Sequence, residues 1–189
     1  MRVNAKWMVG MVVVILLATV PLMLEGYAFR PLFSIAWYKL IHIVGGVLFI
    51  GNIVVTGVWM DMARRTNDPR VVSFATVMVD WLDLIFTGPG VFLILVSGIV
   101  LATPWGGVLG ASWITAAVAL FVFSGIVWVV FLLPSQRRLI RLAQEAVASG
   151  SALSREYHDL LGKWFLWGAA ATLSPLGSLV LMITKPTLW

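Results

Sequence analysis

The chain has 189 residues, 61% of them hydrophobic and only 11% charged, with a mean hydropathy of +1.00. Soluble domains carry about 25% charged residues. This chain has too little polar surface to coat a water-soluble globule, which excludes a soluble enzyme, a disordered segment and a nucleic-acid partner. The formal net charge is +5 and cysteine is absent, so disulfides, thiolate metal sites and iron–sulfur clusters are excluded. In so apolar a chain a basic balance marks the loops on one side of a membrane.

A helix crosses the bilayer core with about 20 mostly apolar residues. Five stretches qualify: 7–24, 35–60, 84–102, 113–133 and 164–184. They are continuous rather than alternating, which argues against a strand barrel. The first is longer than the apolar core of a signal peptide and reads as a true span. The expectation is one all-α domain over 1–189, a five-helix bundle with the lipid bilayer as its immediate partner.

Orientation follows from the basic residues. With the N-terminus in the cytoplasm, Arg2, Lys6, Arg64, Arg65, Arg70, Arg137, Arg138, Arg141, Arg155 and Lys163 fall inside, and Arg30, Lys39 and Lys185 outside. Ten against three predicts N-in, C-out in a bacterial inner membrane.

The connections carry their own signals. Asn67-Asp68-Pro69 reads as a helix entry, and Arg137–Ala143 as an extension of the fourth helix into the headgroup zone. Ser149-Gly150-Ser151 breaks that extension. Residues 71–83 are apolar but end in Asp80 and Asp83, three apart on one helical face. Joined to 84–102 they would make a helix of about 48 Å, longer than a core of about 30 Å. Either the third helix starts beneath the membrane, or 71–83 lies along the interface. The two aspartates would cap a helix or pair with Arg64 and Arg65; the alternative is a cytoplasmic proton-entry site. Thr87-Gly88-Pro89-Gly90 predicts a bend inside the third helix.

The second helix carries the candidate site. His42, Gly45, Phe49, Asn52 and Thr56 form one stripe, with Lys39 one turn before it. Small residues let a helix or a flat ligand approach closely, and polar groups on that stripe should face the bundle interior. His42 lies about 10 Å from the start of its helix, and His158 toward the opposite membrane face, so the two cannot share one haem iron. By depth, Met23, Met182 and Lys39 are the available partners. A His/Met pair suits haem or Cu(I). The candidate cofactor-binding residues are therefore His42, Lys39, Gly45, Gly46 and Asn52, and the candidate metal ligands His42, Met23 and Met182. The bland alternative for His42 is a neutral imidazole bonded to a neighbouring helix. Tryptophans such as Trp105, Trp113, Trp128 and Trp164 read mostly as interfacial belts, and His158 as surface.

The run Trp37-Tyr38-Lys39-Leu40-Ile41-His42, with Gly45-Gly46 and Gly51, resembles the opening motif of a bacterial membrane group that includes HemJ-type protoporphyrinogen oxidases and CopD-type copper-resistance proteins. Phe86-Thr87-Gly88-Pro89-Gly90 and Ser97-Gly98 resemble the next helix of the HemJ type. Pro134-Ser135-Gln136-Arg137 and Met182-Ile183-Thr184-Lys185-Pro186 are similar to a family of predicted integral membrane proteins of unknown function. The resemblance covers roughly residues 35–189. It implies haem b or copper at His42. The lysine that the HemJ type needs on a later helix has no counterpart in Ser112–Ala119, which argues against protoporphyrinogen oxidation.

Three functional readings follow. The first is a haem- or metal-associated redox subunit. The second is an accessory subunit of a larger membrane complex, or a homo-oligomer, with no cofactor of its own. The third is a small transporter or copper permease. No Ser/His/acid set converges at one depth and no phosphate-binding loop is present, so catalysis is not expected.

Overall fold

A computed structural model describes residues 31–189 and the single position Gly10. The expected span 7–24, and Met23 with it, lies outside the described residues. The rest is helical: α1 Ile35–Thr66, α2 Pro69–Leu82, α3 Gly88–Ala102, α4 Ser112–Val127, α5 Leu133–Ser149 and α6 Arg155–Thr184. Alpha-helix continues into alpha-helix through a π turn at Asp83–Thr87 and another at Trp128–Leu132. The described residues therefore form four rods long and apolar enough to cross a membrane: Ile35–Thr66, Pro69–Trp105, Ser112–Ser149 and Arg155–Thr184.

Local chemistry sets the rod ends. Asn67 takes the left-handed conformation at φ 52° and closes α1. The Asp68 carboxylate then accepts from Arg70 N at 2.8 Å, with Pro69 as the first helical residue. Gly150, at φ 64°, ends α5, and Ser154 Oγ caps α6 by accepting from Tyr157 N. The Asn67-Asp68-Pro69 and Ser149-Gly150 signals thus act as the sequence suggests.

Three boundaries differ from expectation. Alpha1 runs on to Thr66, where Asp61 pairs with Arg64 and Arg65 on the helix surface. Residues 71–83 run on into 84–102 as one rod, Pro69–Trp105. Alpha6 begins at Arg155 rather than at 164, because Tyr157 and Leu161 already have a core to enter. That core joins Met60 and Ala63 of α1, Val72 and Val79 of α2, and Leu139 and Ala143 of α5. Alpha5 leaves Arg137, Arg141 and Glu145 outside while Leu139, Leu142 and Ala143 are buried. Such amphipathic packing is the water-driven kind. Among the described residues, Arg64, Arg65, Arg70, Arg137, Arg138, Arg141, Arg155 and Lys163 gather toward this end, and Lys39 and Lys185 toward the other.

The rods pair as two hairpins. Alpha1 packs chiefly on α3, and α4 on α6, while α2 and α5 join the hairpins at the basic end. Within each hairpin, polar side chains bond across the contact. Ser124 Oγ donates to Ala171 O at 2.7 Å, and Ser178 Oγ to Ala117 O at 2.8 Å. Between hairpins, Gln136 Nε2 donates to Thr76 O at 3.1 Å. Lipid offers these groups no partner, so each must be satisfied by the protein. At the other end Lys185 Nζ sits 5.2 Å from the Trp105 ring and 5.7 Å from Trp113.

Just before Pro89, where a bend is expected, lies the π turn, in which Gly88 N donates five residues back to Asp83 O. Pro134 is preceded in the same way, with Leu133 N bonded to Trp128 O. A proline ring clashes with the carbonyl four residues before it and brings no N–H. A widened turn ahead of the ring relieves that clash by slipping the ladder one residue.

Alpha1 and α3 touch backbone to backbone. A Cβ on Gly45 would lie 2.9 Å from Gly90 O, and one on Gly90 2.9 Å from Gly45 O, whereas a Cβ on Gly46 would meet nothing within 4 Å. Gly45→Ala should therefore destabilise the protein by about 1–3 kcal/mol through overpacking. Gly46→Ala should be neutral or stabilising by up to about 1 kcal/mol. Thermal unfolding of the two variants in detergent checks the contrast; equal melting temperatures would contradict the close contact.

Candidate functional site

The buried stripe of α1 is Gly45, Phe49, Asn52, Thr56, Met60 and Ala63, with half-buried His42 at its upper end. It faces the Pro69–Trp105 rod. Near the midpoint of α1, Asn52 Nδ2 donates to Asp83 Oδ1 at 2.9 Å and to Thr87 Oγ1 at 2.8 Å. Thr87 Oγ1 in turn donates to Asp83 Oδ1 at 3.0 Å. The Trp128 indole, from the other hairpin, lies close to the same carboxyl and lines the same space. Asn52 and Thr87 both end on Oδ1. A carboxylate has about four acceptor positions, so Asp83 keeps capacity for another donor.

That capacity borders a cavity of about 650 Å³ between the two hairpins. Its walls are apolar and aromatic, with Phe49, Phe121, Trp128, Trp164 and Phe165 among them. Phe49 and Phe121 meet edge to face at 5.6 Å, joining α1 to α4. Asp80 and Asp83 are the charged lining residues, and no Lys, Arg or His of the described chain lines the space. Three glycines from three rods, Gly57, Gly125 and Gly168, also line it, and a Cβ on any of them would meet nothing within 4 Å. Part of the wall is also outer surface: Val58 is 56% exposed, Val130 53% and Leu173 67%. The cavity thus reaches the face that the apolar rods turn outward.

His42 is a separate place. Its Nδ1 lies 3.1 Å from Ile94 O and 3.0 Å from Ser97 Oγ. The Ser97 hydroxyl donates to Leu93 O, and a carbonyl only accepts, so the shared proton belongs to Nδ1. Nε2 then carries the lone pair. The ten residues from His42 to Asn52 span about 15 Å of helix, and His42 does not line the cavity.

The other expected site residues scatter. Gly45 is spent on the Gly90 contact. Gly46 is half-buried, Lys39 exposed, and Met182 half-buried near the end of α6. No group of three or more His, Asp or Glu able to hold a metal occurs among the described residues. Asn52, expected beside a cofactor, donates to the Asp83 carboxyl. Asp83 is neither a solvated cap nor a partner of Arg64 and Arg65, because those arginines pair with Asp61. Trp128 and Trp164 line the cavity rather than an interface belt, whereas His158 is exposed as expected. The sequence held one overlooked signal for Trp128: it precedes Pro134 by six residues, as Asp83 precedes Pro89.

Four rods long and apolar enough to cross a membrane, with serine, threonine and asparagine side chains bonded across their contacts, define a multi-pass helical membrane protein. The chain belongs to the DUF2269 family of predicted integral membrane proteins, which it matches over residues 36–186. No curated protein and no solved structure matches it.

The His42 geometry is directly testable. Nitrogen-15 NMR of histidine-labelled protein, with His42→Gln to assign the signal, should show a neutral imidazole protonated on Nδ1. A proton on Nε2 would contradict the bonding to Ile94 and Ser97.

Proposed function

We propose that the protein is a small transporter of the bacterial inner membrane and that the cavity between the hairpins is its substrate site. The observation that carries this reading is a roomy apolar cavity of about 650 Å³ bordered by a carboxylate with no basic residue beside it. Small-molecule sites are commonly clefts of roughly 300–1,000 Å³, mostly apolar, with a few placed polar groups. An ionisable residue within a membrane span marks a substrate or ion pathway by default. Helices interrupted near their middle are a recurring feature of transporter sites, and here both interruptions border the cavity.

The proposed topology is N-in, C-out with five spans, the first in residues 7–24. The basic end is then cytoplasmic. A reporter active only in the cytoplasm should work when fused after Gly150 and fail after Trp189. Activity at Trp189 would require an even number of spans and sink this arrangement.

A second reading keeps His42 as a ligand for haem b or copper in a redox or accessory subunit. One observation favours it: Nδ1 bonded to a backbone carbonyl leaves Nε2 as the free lone pair, the usual arrangement of metal-bound histidines. The group would sit apart from the cavity, and its second ligand would come from Met182, Met23 or a partner chain. The resemblance to HemJ-type and CopD-type proteins supports the same choice of residue.

The cavity reading has a direct test. Purified protein should bind the neutral dye Nile red saturably, beyond what detergent alone takes up. Gly125→Leu with Gly168→Leu places two side chains in open space and should weaken that binding about tenfold or more, a change of roughly 1.4 kcal/mol. Unchanged saturable binding in the filled variant would remove the cavity as the site.

A further inference from the structure

The lining chemistry goes further than size. Burying a carboxylate in an apolar place is costly unless a partner of opposite charge or enough hydrogen bonds compensate. Asp83 receives neutral donors from Asn52 and Thr87, but no cation of the described chain lines the space it borders. Arg137 acts electrostatically on Asp80. It is exposed and is not part of the lining. Elsewhere in the described chain acids find their partners: Asp61 has Arg64 and Arg65, Glu156 has Arg138, and Asp159 has Arg155. Asp80 and Asp83 stand out as acids bordering empty space without an ion-pair partner among the described residues, and Asp83 is the one bonded to a neighbouring rod.

The rest of the wall suits the same class of ligand. Aromatic faces attract cations within about 6 Å of the ring centre, and do so more strongly out of water. Phe49, Phe121, Trp128, Trp164 and Phe165 line the same cavity as the carboxyl. The exposed lining residues Val58, Val130 and Leu173 bring the cavity to the outer surface of the rods. In the membrane that surface meets acyl chains, so a ligand can arrive sideways from the bilayer provided it is itself lipid-soluble.

We infer that the cavity takes a lipophilic organic cation from the bilayer, with the Asp83 carboxylate as its counter-charge and the surrounding rings as its apolar seat. This rests on the cavity being the substrate site. The ligand class is an ammonium or comparable cation whose charge is carried on an apolar, preferably aromatic, body. A neutral lipid would leave the carboxylate without its counter-charge. A lipophilic anion would meet Asp80 and Asp83 with like charge.

The test uses two probes of the same shape and opposite charge, tetraphenylphosphonium and tetraphenylborate, on the full chain in detergent. Each is titrated against bound Nile red. In the wild-type protein the phosphonium should displace the dye at about a tenfold lower concentration, or better, than the borate. Asp83→Asn keeps a carbonyl oxygen for Asn52 and Thr87 to bond, and should abolish the preference while Nile red still binds. A borate that competes as well as the phosphonium overturns the inference. So does a preference that survives Asp83→Asn. In both cases retained dye binding leaves the cavity reading standing. If Nile red fails to bind even the wild type, the cavity reading itself fails, and the cation inference with it. The wild-type comparison of the two probes needs no variant, so a poorly folding Asp83→Asn would not shelter the idea.

Discussion

An aspartate among apolar helices dictates much of what surrounds it. In lipid an unsatisfied polar group costs several kcal/mol, so the carboxyl of Asp83 must be met by donors from the protein. Asn52 supplies one from α1 and Thr87 another from the same rod, with the Trp128 ring of the opposite hairpin lining the same space. The requirement therefore fixes the rotation of α1 about its axis: Asn52 has to face the rod. Gly45, Phe49 and Thr56, spaced along the same stripe, are carried inward with it. His42 lies on that stripe too and finds Ile94 and Ser97. One polar contact near the middle of the bundle and one near its end hold α1 and α3 in register, and Gly45 against Gly90 sets how closely they approach.

Glycine has two opposite uses here, and the difference explains why the bundle is not solid. Gly45 and Gly90 have no room for a methyl group, so their absence of a side chain is converted into helix contact. Gly57, Gly125 and Gly168 have nothing near them, so theirs is converted into empty volume. Protein interiors otherwise pack to the density of organic crystals. A cavity of about 650 Å³ is not the kind of gap that such packing leaves by accident. It persists because the walls are braced at one end by the core around Met60, Val72, Leu139 and Tyr157, and by Phe49 against Phe121 on the other side.

The sequence makes the first of these arrangements readable and hides the second. The stripe of α1 shows in plain spacing, because inward residues of a helix recur every three or four positions. Asn67-Asp68-Pro69 and Ser149-Gly150 are local signals that need no knowledge of the fold. The run 71–83 was divided between two placements, since its composition suits both a rod below the membrane and a helix lying on it. Only the partners of Val72 and Val79 decide between them. Asp83 misleads in the same way: three residues from Asp80 and near a basic turn, it looks like a surface cap. Its surroundings depend on Asn52 and Trp128, which are 31 residues before it and 45 after it in the chain. No window short enough to show helical periodicity contains all three. The glycines mislead as well, because a glycine that admits a neighbour and one that leaves a void have the same sequence context.

The two π turns account for where the cavity lies. Each residue inserted into a helix turns everything beyond it by about 100° relative to what came before. The Pro69–Trp105 rod presents Val72 and Val79 of α2 to the basic-end core, and Gly90 and Ser97 of α3 to α1. A regular helix would hold one face along its whole length. The π turn at Asp83–Thr87 lets the rod change partners. The Ser112–Ser149 rod does the same at Trp128–Leu132: α4 pairs with α6, and α5 with α2. Both exchanges fall at the level where Asp83 meets Trp128. At that level each rod is leaving one partner before it has fully engaged the next, so the hairpins stand furthest from mutual filling there. The prolines that favour the widened turns, the carboxyl and indole at their first positions, and the void beside them are consequences of the same change of partner, repeated in two rods with the same six-residue spacing from Asp83 to Pro89 and from Trp128 to Pro134.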